Sequence, residues 1–168
     1  MVQQAFPSLN GQAQSWVDLV GAIIIHDGPK LDLEDIKSIK WDTALEVGTQ
    51  RRVDGSIKAF TKGAATPSGS LEYYADGCVN FIEKLIDVAI AKNCVRGDVG
   101  LYGMVSFDIV TMHTPLGTTA MRKVEILGCR LKKDMQEGSE GVEAESNALE
   151  LIVTQVIRTV NGKRGALL

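Results

Sequence analysis

The sequence predicts an α+β fold of mainly β character: an antiparallel β-sandwich or barrel flanked by one α-helix and carrying a long hairpin. Three observations predict it. Tracts with period-two or doubly apolar patterning occupy both ends of the chain. Only the stretch after Asp76 spaces its apolar residues as a helix does. Near the C-terminus, two long strand-like tracts at 120–133 and 148–160 flank one polar connection at 134–147. The 168 residues carry no internal repeat and no low-complexity linker, so a single domain spanning 1–168 is expected.

The first extended segment covers 15–26, a β-branched run stopped by the Asp27-Gly28-Pro29 turn signal. Residues 36–47 alternate, with Ile39, Trp41, Leu45 and Val47 on one face and Ser38, Lys40, Asp42 and Glu46 on the other, the pattern of a half-buried strand. Extended character resumes at 57–63, which makes a long hairpin over 41–60 with its tip between Glu46 and Gly55. "TPSGS" at 66–70 reads as a loop, and "LEYYA" at 71–75 as a short strand or a helix lead-in. Asp76 then caps a helix reaching about Asn93. The helix has an apolar arc of Cys78, Val79, Phe81, Ile82, Leu85, Ile86, Ala89 and Ile90, wider than one sheet face needs. Part of it is therefore expected to pack against a neighbouring chain.

Residues 101–113 place Val105, Phe107 and Ile109 on one strand face and Tyr102, Met104, Val110 and Met112 on the other, so both faces should be covered. Phe81, Leu85, Tyr102 and Met104 are the candidates for inter-subunit packing. In 120–133 the apolar face switches from Val124 and Ile126 to Leu127, Cys129 and Leu131, as a β-bulge near Gly128 would make it do. The last tract carries Leu149, Leu151, Val153 and Ile157 on one face and Ile152, Val156 and Val160 on the other.

The chemistry-bearing residues are sparse. Eighteen basic against 21 acidic side chains give a net charge of −3, which argues against a nucleic-acid binder. The longest apolar run, "LVGAIII", is too short for a bilayer, and the N-terminus lacks the charged and apolar regions of a secretion signal. No membrane insertion and synthesis in the cytoplasm are the expectations. Cys78, Cys94 and Cys129 are odd in number and show no CxxC spacing, as befits free thiols. His26 and His113 have no ligand at metal spacing and are expected to be satisfied strand or surface histidines. "GDVGLYG" lacks the spacing of a phosphate loop. Glu137, Glu140, Glu143 and Glu145 lack that of a calcium loop, leaving a solvated connection or a negative patch facing a shared channel. No catalytic residue, cofactor or metal is expected. Arg51 and Arg52, beside Asp54 and opposite Asp42 and Glu46, would add little to a monomer. Between stacked copies they would form charge pairs that set register.

The order of segments resembles that of phage tail tube proteins, the major tail proteins of the inner tube. The similarity runs nearly end to end, through "LNGQAQSWVDL", "IKSIKWDTALEVG" and "QRRVDGSIKAF", where Arg52 and Gly55 match an Arg-x-x-Gly element. It continues through "SGSLEYYADGCVNFIEKL" and "GDVGLYGMVSFDIVTMHT". The strongest part is 124–162, with its Gly-Cys-Arg-hydrophobic-Lys-Lys strand, its Ser/Gly/acid loop and its terminal Asn-Gly. "GTQRRVDGS" is short beside the corresponding loop of some members.

The resemblance implies a structural virion protein without enzymatic activity. Its partner is itself, in hexameric rings stacked into a tube whose strands close a continuous barrel around a lumen. The other implied partners are a sheath where the tail is contractile, tape measure, baseplate and terminator. Double-stranded DNA would pass without specific binding, repelled by a negative lumen. The implied location is the virion tail, assembled in the host cytoplasm. Glu46, Arg51, Arg52, Asp54 and Gly55 are the candidate inter-ring hairpin contact, and Lys123, Glu125, Glu150 and Thr154 the candidate lumen groups. The rival readings are the tube of a related injection machine, of type VI secretion or bacteriocin kind, and a β-barrel binder of a small ligand.

Overall fold

The computed structural model describes residues 20–33, 36–61, 63–113, 122–135 and 146–167, with Val20 and His113 as backbone only. Thirteen strands and one α-helix follow one another among the described residues. Strands β1 (Val20–Ile25) and β2 (Lys30–Asp32) form a hairpin around the Asp27 turn, where Asp27 takes a φ of 60°. Strand β3 (Ile36–Leu45) pairs with β6 (Ala65–Tyr74) along nine registered positions. Between them β4 (Gly48–Arg51) and β5 (Ile57–Thr61) prolong the same two arms as a separate ribbon. Helix α1 (Ala75–Ala91) follows β6 directly. Two short strands, β7 (Val95–Arg96) and β8 (Val99–Gly100), and a 3-10 turn at Tyr102–Met104 lead to β9 (Phe107–His113). The chain then runs through β10 (Arg122–Met135), β11 (Ser146–Ile152), β12 (Gln155–Val160) and β13 (Lys163–Ala166).

Nine of these strands make one antiparallel sheet that folds over on itself through β10. The first half of β10 pairs with β9 and β12, in the order β2-β1-β9-β10-β12-β13, and its second half pairs with β11, in the order β10-β11-β6-β3. The crossing point is the bulge expected near Gly128. Register against β9 slips between Ile126 and Cys129, and Gly128 itself has a φ of 63°. A side chain there would collide with Thr154, whose Cβ would lie 2.8 Å from the added carbon. Thr154 sits at the matching break between β11 and β12, donating its backbone N–H to Leu127 O at 3.0 Å. Both arms therefore bend at the same level, and Val153 and Val156, three residues apart, both point into the core.

One core fills the fold. Ile23, Ile25, Phe107, Ile109 and Ile126 from one half of the sheet meet Ile39, Leu71, Tyr73, Leu149 and Leu151 from the other. Helix α1 plugs the end of this layer with Phe81, whose ring stacks on Tyr73 and meets Phe107 edge-on, each at 5.3 Å between centroids. The sheet does not close into a barrel within one chain: β3, β2 and β13 are edge strands among the described residues.

Several sequence expectations need correction. Residues 66–70 are not a loop but the first part of β6, because β3 and β11 pair with that segment from both sides and override its turn propensity. Asp76 does not cap the helix. Tyr74 occupies the cap position with no side-chain hydrogen bond, and Asp76 lies in the first turn. The helix ends at Ala91, and Asn93, with a φ of 56°, turns the chain away. Residues 101–106 are not strand, and the single strand expected at 148–160 is two. Phe81 and Leu85, expected at a subunit interface, are fully buried inside the chain's own core and have no surface to offer a neighbour. The opening segment through Leu19 and the acidic connection with Glu137, Glu140, Glu143 and Glu145 lie outside the described residues.

Candidate functional site

The β4–β5 ribbon is the part of the chain least supported by the rest. Every described residue from Ala44 to Thr61 is exposed, Val53 at the tip completely and Phe60 to 69%. Two-stranded hairpins are marginal on their own. The tip turn spans Arg52–Ser56. Arg52 N–H donates to Ser56 O at 2.8 Å, Gly55 N–H to Arg52 O at 2.9 Å, and Gly55 adopts a φ of 85°. Asp54 accepts the Ser56 hydroxyl at 2.6 Å and the Ser56 N–H at 2.9 Å, and these bonds hold its carboxyl below the usual range. Asp54 is thus committed to the turn, whereas Arg51 and Arg52 enter no ion pair among the described residues. At the neck, Glu46 N–H donates to Ala64 O at 3.2 Å, and Gly63 lies so close that any side chain would overlap the Glu46 carbonyl. The five hairpin residues singled out from the sequence therefore share one projecting arm.

The four candidate lumen residues do not form one patch. Lys123 and Glu125 lie on the outward face of β10, next to β9 and β12. Glu125 accepts from Lys123 and from Arg164 of β13, each at 2.9 Å. The Lys123 hydrogen bond, then the nearby positive charges, hold its carboxyl low. Glu150 lies on the outward face of the other half of the sheet, paired with Lys133 in register and 3.9 Å from Lys132. Lys40, Asp42, Ser68, Ser70 and Glu150 line a shallow depression of roughly 360 Å³ there with Lys132, Trp41 and Leu151, and Ile152 is exposed on the same face. Beside it Glu72 accepts from Lys37 at 3.0 Å, Ser146 at 2.9 Å and Ser38 at 3.1 Å, and the Lys37 bond is the main reason its carboxyl is held low. Thr154 serves the bulge, donating to Gly128 O at 3.2 Å.

Of the packing candidates, Met104 is 57% exposed, whereas Tyr102 is half-buried and donates its hydroxyl to Asp134 at 3.1 Å. On the helix, Val79 and Ile90 are exposed, and a groove of roughly 250 Å³ runs past Cys78, Val79, Ile82, Glu83, Ile86 and Asp87. The wide arc expected from the sequence thus divides, with Phe81 and Leu85 in the core and Val79 and Ile90 on the surface.

One cluster was invisible in the sequence. His26 lies 2.9 Å from Asp108 through Nε2 and 2.9 Å from the Ser106 hydroxyl through Nδ1, and Asp108 also accepts the Gly128 N–H at 2.8 Å. Hydroxyl, imidazole and carboxylate adjoin in one chain, with one Asp108 oxygen on the imidazole and the other on the bulge N–H. The cluster ties β1, β9 and β10 together, and no spacing could have announced it because the partners are 80 residues apart. Beneath it Cys129 is buried, and burial together with Asp108 pushes its thiol up to about 12, so it is no nucleophile.

With this geometry established, comparison with solved structures becomes informative. The chain superposes on a chain of the anti-feeding prophage cap (AFP tube terminating cap) with a TM-score of 0.59, covering 95% of each at 12% identity. It matches a chain of the sheath/tube terminator of the PVC extracellular contractile injection system with a TM-score of 0.58, covering 88% of this chain and 96% of that one at 12% identity. A chain of the PVC sheath-tube complex gives 0.55 at 11% identity, with 87% and 90% covered. The chain shares the fold of these injection-system chains. No family model matches it, and a search of curated proteins returns no match, so the likeness lives in the fold and not in residue identity.

Proposed function

We propose that this chain is a non-enzymatic structural subunit of a tail-like tube, forming hexameric rings that stack around a lumen through which DNA passes from virion to host. The superposition on tube-cap and sheath-tube chains supports the reading, because it takes in 95% and 87% of this chain and not a shared core alone. Open edge strands at β3 and β13 give neighbouring copies somewhere to continue the sheet, and closing it around a ring removes edges that invite aggregation. On this reading the polar outward face around Glu150 is the better lumen candidate, since its serines and alternating charges offer the phosphate backbone no continuous cationic track. The projecting ribbon reaches the adjacent ring. Sheath, tape measure, baseplate and terminator proteins are the heterologous partners, and the particle is a virion tail assembled in the host cytoplasm.

A second reading is favoured by the cap and terminator chains among the similar structures: an end piece of such a tube, in a phage or a related injection machine. Negative-stain microscopy of purified protein separates the two. Stacked tubes of variable length support the tube subunit, single rings that never elongate support the end piece, and a monodisperse monomer at high concentration overturns both. Reversing Arg51 and Arg52 to Glu should weaken stacking and leave the monomer folded. Normal polymerisation of that variant would remove the hairpin from the ring-to-ring contact.

A further inference from the structure

The ribbon has two unlike faces. Cross-strand pairing sets Thr49 against Phe60 and Arg51 against Ile57, and because Thr49 and Arg51 are two residues apart these four side chains share one face. Phe60 is 69% and Ile57 51% exposed there. The opposite face holds Gly48, Gln50, Ala59 and Thr61, which are small or polar. Arg51, Arg52 and Lys58 edge the apolar face and enter no ion pair among the described residues.

Helix α1 carries the complementary surface. Its groove past Val79, Ile82 and Ile86 is bordered by Glu83 and Asp87, with Asp76 one turn before, and its last turn has no basic residue. Lys84 lies 3.9 Å from Asp87 and offsets only that one acid. The dimensions agree as well. From Val79 to Ile86 the groove advances about 10 Å, and from Ile57 to Phe60 the ribbon face advances about 10 Å.

The two surfaces cannot meet within one chain. The helix begins where β6 ends and the ribbon begins where β6 starts, so ten residues of straight strand, roughly 33 Å, hold them apart. We infer that the Ile57–Phe60 face of the ribbon seats in the α1 groove of a second copy, with the ribbon's cations against the groove's acids. Such a contact joins two different patches, so it repeats from copy to copy and builds a ring or a helical array instead of stopping at a dimer. The inference rests on the self-assembly proposed above and names its acceptor. It makes the apolar face the main contact, with the basic edge steering and setting register.

Two experiments test it, both reading assembled fraction by sedimentation. The double reversal Arg51→Glu/Arg52→Glu should lower assembly at least tenfold, and adding Glu83→Lys/Asp87→Lys to the same chain should restore most of it. Second, a chain carrying Phe60→Cys mixed with a chain carrying Val79→Cys should give a disulfide-linked dimer under mild oxidation, at least tenfold above either chain alone. Both sites are exposed, so the variants fold. Native protein that assembles while the charge reversal is not rescued and no mixed dimer forms overturns the contact but leaves the tube reading standing. Native protein that stays monomeric overturns both.

Discussion

The bulge at Gly128 and the ribbon at Arg51 are both departures from regular pairing, but they are built oppositely. At the bulge every group has a partner inside the chain. Gly128 N–H goes to Asp108, Gly128 O receives Thr154, and Asp108 holds His26. On the ribbon the bonds are local to the turn, while the apolar side chains and the arginines face outward. The difference teaches where the chain ends energetically. The bulge belongs to the stability of the monomer, and on the proposed function the ribbon belongs to the contact between copies.

That division can be broken by measurement. The largest loss should come from Phe81→Ala, which empties the contact with Tyr73 and Phe107 at the end of the core layer. About 4 kcal/mol of unfolding free energy is expected, read from urea denaturation. A loss below about 1 kcal/mol would mean that the helix does not plug the core as described. Gly128→Val comes next. It forces a β-branched residue into a positive φ and against Thr154, for roughly 3 kcal/mol. An unchanged denaturation midpoint would show that the bulge relocates freely.

A smaller effect, about 1 kcal/mol at neutral pH, is expected for Glu125→Gln, which removes the acceptor shared by Lys123 and Arg164. Its sign follows from linkage. The folded carboxyl of Glu125 is held below its unfolded value, as is that of Glu72. The stability they add is therefore fully present above the ordinary carboxylate range, near 4.3, and is lost as pH falls through the lowered folded values. The variant should lose less stability on acidification than the parent, and a steeper acid loss would contradict the pairing. The smallest effect on the monomer belongs to Phe60→Ser. It should change unfolding free energy by no more than about 0.5 kcal/mol while reducing assembly, and a folded-state loss above 2 kcal/mol would place the ribbon inside the monomer's core after all.

Much of the fold was legible because its signals are local. The alternation in 36–47, the helical spacing after Asp76 and the slip of apolar face around Gly128 each report a periodicity that survives into the structure. The errors occurred where tertiary pairing overrode local chemistry. Thr66 to Ser70 have turn composition but are clamped between two strands. The charges at the hairpin tip drew attention, although Phe60 and Ile57, two ordinary letters in "IKAFTKG", proved to be the most conspicuous exposed surface of the arm beside Val53. A single sequence does not separate an apolar residue facing a core from one facing solvent when both sit on a strand.

By itself the sequence determined the material of the fold, meaning which segments extend, which one coils and where one strand must bulge, because backbone preference and side-chain period act over a few residues. Only the tertiary structure decided that β10 is shared by two halves of the sheet, that Phe81 and Leu85 are core while Val79 and Ile90 are surface, and that His26 meets Asp108. Those outcomes depend on contacts between residues scores of positions apart, and their energies exist only once the chain has closed around a common core.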